Sequence, residues 1–149
     1  MTREQSLAFA RVIAALALAG MLFAVAPRAH AQQAFPTPDE AASALAAAVK
    51  SGARRDMLRV LGSNGEDIIS SGDDVEDKET RERFPTAYDA KHSIKTEGDK
   101  KAIMIVGNDD FPFPIPLQKT KSGWEFDTAA GRLEILYRRI GRNELDAIQ

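Results

Sequence analysis

The heptapeptide Phe111-Pro112-Phe113-Pro114-Ile115-Pro116-Leu117 limits the architecture more than any other stretch of the chain. Written as an extended strand, its four apolar residues point one way and its three prolines the other. The backbone alternates in the same way. Odd-numbered residues offer their N–H groups to one edge, and the even-numbered residues, all proline, offer none to the opposite edge. That edge carries carbonyls without donors, so the stretch cannot be fully paired on both sides. It reads as an edge strand whose prolines prevent unwanted pairing. A polyproline ligand for an aromatic groove normally spaces its prolines as PxxP, and prolines two apart do not fit that pattern.

The first 31 residues read as an address label. Arg3 and Arg11 give a positive start, Val12 to Ala26 carries no charge, and Ala29-His30-Ala31 suits a signal peptidase cutting before Gln32. Fifteen uncharged residues fall short of the roughly 20 that a membrane-spanning helix needs. No twin arginine is present, which points to the general secretory route and to the periplasm or the extracellular space. Residues 32–149 then form one α+β domain, with no stable membrane span after cleavage.

Removal of the leader takes Arg3, Arg11, Arg28 and Glu4 with it. The remaining 118 residues hold 17 basic and 21 acidic side chains, a net charge of −4. The basic residues look dispersed, so no nucleic-acid partner is expected. The chain has no cysteine, which excludes thiol catalysis, thiolate metal sites and disulfide staples. His92 is the single histidine left after cleavage, so no site can use two imidazoles from one chain. No glycine-rich phosphate loop is present, and no cofactor or metal is expected.

The domain reads as helices first and strands second. Thr37-Pro38-Asp39-Glu40 is a capping box with proline at the first helical position. Ala41, Ala42, Leu45, Ala48 and Val49 then share a face up to the stop at Gly52. A short helix follows over about 54–61, with Met57, Leu58 and Leu61 inward. Residues 63–74 are turn-rich and pinned by Ile68 and Ile69. A third helix spans about 75–91, and Pro85 is expected to kink or split it near Phe84. Phe84 and Tyr88, four apart, share a face.

The hydrophobic period then changes. Ile94 and Thr96 alternate with polar residues, Gly98-Asp99 turns, and Ala102 to Val106 is an apolar strand. The proline stretch and Trp124-Glu125-Phe126 supply a second pair, with both aromatics in the core. Asp127 or Thr128 starts a helix to about Ile140, whose Leu133, Leu136, Tyr137 and Ile140 are expected to form a buried stripe. The expected fold is α+β: N-terminal helices on one face of an antiparallel sheet of about four strands, followed by C-terminal helices.

Chemistry has few candidates. Asp89 and Tyr88 stand three and four residues before His92, so one helical turn brings both near the imidazole. An Asp-oriented histidine can act as a general base. The simpler reading has His92 at the end of the third helix, near the negative end of its dipole. The acids Asp73, Asp74, Glu76, Asp77 and Glu79 lack the register of a calcium loop and read as a solvated helix start. Asp109-Asp110 reads as a turn.

Several stretches together resemble a known family: FPTPDEAASAL, LGSNGEDIISSGD, RERFPTAYDAKHSI, FPFPIPL and GWEFDTAAGRLEILYRRIGRNELDAIQ. They are similar to the bacterial exported family catalogued as domain of unknown function 2950, over nearly all of residues 32–149. The resemblance implies a cell-envelope protein and transfers no residue role. It also implies further chain beyond Gln149. On that expectation Gly141 ends one helix, Asn143 with Asp146 caps the next, and Leu145 and Ile148 begin its apolar stripe. The helix-then-sheet order is also similar to cone-shaped nuclear-transport-factor-like folds, which host enzymes and inert binding modules alike. The leading expectation is a non-catalytic module binding a protein or small ligand. The alternative is a small hydrolase or isomerase using Asp89 and His92, with Tyr88 assisting.

Overall fold

Thr37 is extended and its hydroxyl accepts from the Glu40 amide at 3.2 Å, which starts the first helix where the capping box places it. The structure, a computed structural model, describes residues 31–146. The expected leader, apart from Ala31, and the apolar positions Leu145 and Ile148 lie outside the described residues and side chains.

Helix α1 (Pro38–Ser51) buries Ala41, Ala42, Leu45, Ala46 and Ala48, and ends at Gly52, whose φ of 67° is left-handed. Small side chains on this face let α1 lie close to its neighbours. Helix α2 (Arg54–Leu61) buries Met57, Val60 and Leu61. A 3-10 turn (Ser63–Gly65) and the one-turn helix α3 (Glu66–Ile69) follow, where the sequence reads only as turn-rich.

Helix α4 (Asp74–Ala90) is capped by Asp73, whose carboxylate accepts from the amides of Val75 and Glu76 at 3.0 Å each. Pro85 does not split it. The carbonyl that Pro85 cannot serve belongs to Arg81, an exposed residue, where water can satisfy it. On the other side Phe84 and Tyr88, with ring centroids 6.1 Å apart, hold the helix to the core.

Strands β1 (His92–Glu97) and β2 (Lys101–Val106) form a six-residue antiparallel ladder from His92–Val106 to Glu97–Lys101. Ala102, Met104 and Val106 face the helices and are buried, while Lys101, Ile103 and Ile105 lie on the open face of the sheet. The proline stretch does not make one strand. It pairs with β2 twice, as β3 (Phe111–Pro112) and β4 (Leu117–Lys119). Ile105–Pro112 and Ala102–Leu117 differ in register by two residues, which bulge out at Pro114–Pro116. Among the described residues the sheet has five strands, because that bulge divides one expected strand.

The donor-free edge exists as the proline spacing requires. Phe113 donates to Met104 across β2, whereas Pro116 only accepts, from the Asp127 amide at 2.8 Å. Among the described residues, β3 has no strand on its proline side. β4 does, because β5 (Trp124–Phe126) pairs there, from Leu117–Phe126 to Lys119–Trp124. The edge reading therefore holds for β3 and is corrected for β4. Phe35 adds a last bridge to Trp124, and a β-carbon at Gly123 would fall 2.5 Å from the Phe35 carbonyl oxygen. The helices cover one face of this sheet, and Phe126, Met104, Leu117 and Ile115 lie between them, all almost fully buried.

Helix α5 (Thr128–Asp146) runs without a break through Gly141, so one C-terminal helix is described where two were expected. Asp127 accepts from the Ala130 amide, and the Thr128 hydroxyl donates to the Leu61 carbonyl at 2.5 Å. The expected buried stripe is a correction. Leu133, Leu136, Tyr137 and Ile140 are 45–64% exposed.

Candidate functional site

The orientation of α5 creates the main concavity. Its first turn is held by Gly131, which lies so close to Ile115 that a β-carbon there would fall 2.7 Å from Ile115 Cγ1. Arg132 then reaches back across the domain. Its Nε and Nη2 donate to the two carboxylate oxygens of Asp67 at 2.6 and 2.8 Å, and Nη2 also donates to the Asn64 carbonyl. This pairing holds the Asp67 carboxyl below its ordinary value of 3.8 and raises Arg132 further. Two turns on, Arg138 Nη1 donates to the Pro112 carbonyl at 2.9 Å, Nε donates to Glu134, and the guanidinium carbon stands 5.0 Å from the centre of the Phe111 ring. The carbonyl edge left open by the prolines is thus met by a cation.

Strapped at both places, α5 spans a groove of about 630 Å³ whose other walls are α3, α4 and the proline bulge. Its floor is apolar and reaches the core through Leu45, Met57, Phe84, Phe113 and Ile115, with Ile135 above. Phe84 and Phe113 meet at 5.0 Å between ring centres. The rim is different. Five arginines line the groove (Arg81, Arg132, Arg138, Arg139 and Arg142) and no lysine does. Asp67 is taken by Arg132. Asp77, read from the sequence as part of a solvated helix start, is instead buried and accepts from the amide and hydroxyl of Ser71. Glu76 is the third acid of the lining. Arg81, Arg139 and Arg142 make no ion pair among the described residues.

Tyr88, Asp89 and His92 lie elsewhere. The His92 ring stacks on Tyr88 with centroids 3.9 Å apart and planes 6° from parallel. Its Nδ1–H donates to the Tyr88 carbonyl at 2.8 Å, so the imidazole caps the last turn of α4 from the first position of β1. Asp89 does not orient it. Lys50 holds the Asp89 carboxylate at 2.7 Å, on the exposed surface. Burial raises the Tyr88 phenol above its ordinary value. None of the three lines the groove.

Sequence reasoning missed the arginines of the groove. The signal was present, since Arg132, Ile135, Arg139 and Arg142 follow the spacing of one helical face. The nearby apolar stripe is the louder pattern, and its period points to the interior. No curated protein and no solved structure matches the chain. Residues 32–149 match the family described as Protein of unknown function (DUF2950), and with most of its length covered the chain belongs to that family.

Proposed function

We propose that this protein is an exported component of the bacterial cell envelope and works by binding rather than by catalysis. Export rests on the leader: a positive start, a fifteen-residue uncharged run, and small residues before Gln32. Binding rests on one observation, the groove under α5. At about 630 Å³ it falls within the ~300–1,000 Å³ of small-molecule sites, and its floor and rim differ sharply in polarity. The Asp89–His92 alternative has no comparable support. A general base needs an orienting partner and a substrate-sized concavity beside it, and here Lys50 occupies the acid.

Two measurements test the reading. Protein recovered from the periplasm of an expressing bacterium should have the mass of a chain beginning at Gln32. Nile red, a neutral apolar probe, should bind saturably. Ile135→Asp should abolish that binding, and Tyr137→Asp, on the outer side of α5, should leave it. Equal loss in both variants, or a hydrolase activity that disappears in His92→Ala, would overturn the binding reading.

A further inference from the structure

We propose that the groove is a site for an anionic amphiphile, with one acyl chain along the apolar floor and a carboxylate or phosphate head at Arg139 and Arg142. The proposal rests on the binding reading above and names its ligand class.

The floor argues for an acyl chain. Leu45, Val49, Met57, Ile68 and Ile135 supply aliphatic or thioether surface, and the buried acid of the lining, Asp77, is already engaged. Asp77 and Ser71 satisfy one another, and no buried side-chain nitrogen or oxygen among the described residues lacks a partner. A ligand bearing several polar substituents would leave them desolvated and unpaired there. An acyl chain asks for no hydrogen bond, and a flexible wall such as Met57 adapts to its kinks.

The rim argues for an anionic head. Arg139 and Arg142 stand one helical turn apart on the inner side of α5, and Arg81 lines the opposite wall on α4. Guanidinium forks match carboxylates and phosphates in two parallel hydrogen bonds. Arg132 and Arg138 are tied to Asp67 and to Glu134 with Pro112, so they hold the site open instead of serving the ligand. A chain with a net charge of −4 after its leader has gathered five of its arginines around one apolar trough.

The test is titration calorimetry on the protein as the cell processes it. The probes are laurate, dodecyl phosphate, neutral dodecyl maltoside, acetate and inorganic phosphate. Laurate and dodecyl phosphate separate the two head chemistries, and saturable one-to-one binding of either supports the site. Dodecyl maltoside should bind at least ten-fold more weakly, and acetate and inorganic phosphate should not bind. The double variant Arg139→Glu, Arg142→Glu should weaken the anionic amphiphile at least ten-fold, with an unchanged melting transition confirming that it folds. Anionic and neutral amphiphiles binding within three-fold of each other would overturn the ligand class, and Nile red sensitivity to Ile135→Asp would show that the groove itself survives. Unaltered binding in the double variant would overturn the head site.

Discussion

Gly131 shows how one missing methyl sets the position of a helix. It lies on the first turn of α5, and a β-carbon there would fall 2.7 and 2.9 Å from the side chain of Ile115 and 3.0 Å from its Cα. Ile115 is itself 1% exposed and cannot swing away. Alanine would gain about 1 kcal/mol of helix propensity, against an overpacking cost of about 1–3 kcal/mol. Gly131→Ala should therefore lower stability, as a fall in the urea midpoint with unchanged slope. The Asp67–Arg132 pair beside it gives a pH signature. Asp67 has a folded-state pKa below 3.8, so the folded state holds its proton less tightly than the unfolded one. The stability from the pair is complete above about pH 4 and is lost as pH falls through the lowered value. Asp67→Asn should thus be less stable than the parent at pH 6, and the gap should narrow by pH 3 in urea melts at each pH. Both groups are largely exposed, so added salt should also shrink the gap.

At the scale of elements, local rules read best where local atoms decide the outcome. The Thr37 cap, the Gly52 stop and the Gly98 turn of the hairpin sit where the sequence places them, because each answers to a hydrogen bond or a φ within a few residues. Pro85 does not split its helix, because its local penalty is offset by the aromatic packing of Phe84 and Tyr88. The proline stretch was half legible. Its absent donors could be counted from the residues alone, but the two-residue slip at Pro114–Pro116 depends on how β2 and β5 approach from either side. What completes the bare edge of β3 came from 26 residues away, as Arg138. Arg138→Ala removes the donor to the Pro112 carbonyl and the cation over Phe111 together. Water can replace the first, so the global cost should be modest, about 0.5–1.5 kcal/mol. The local effect should be larger. Hydrogen exchange should quicken across the second half of α5 while β1 and β2 keep their protection.

For the whole molecule, the unread fact is which way α5 faces. Period gives an apolar stripe at Leu133, Leu136, Tyr137 and Ile140, and the ordinary inference turns such a stripe toward the core. The candidate site was illegible for the same reason, since the groove is lined by the arginine-bearing side of α5, and of the stripe only Leu136 borders it among the described residues. The helix is held by polar straps instead: Thr128 to Leu61, Arg132 to Asp67 and Asn64, Arg138 to Pro112. The core closes without the stripe, around Phe126, Leu45, Met104, Ile115 and Leu117. The two orientations predict different costs. A buried leucine exchanged for a charge would lose at least the ~2–5 kcal/mol of a large-to-small core substitution, and the buried charge would add to it. Leu133 is 53% exposed and Tyr137 64%, so Leu133→Glu with Tyr137→Glu should stay within about ±0.5 kcal/mol per site. Denaturant melts of the double variant decide the matter. A loss of several kcal/mol would mean that the stripe packs inward, and the groove with its arginine rim would then not exist in solution.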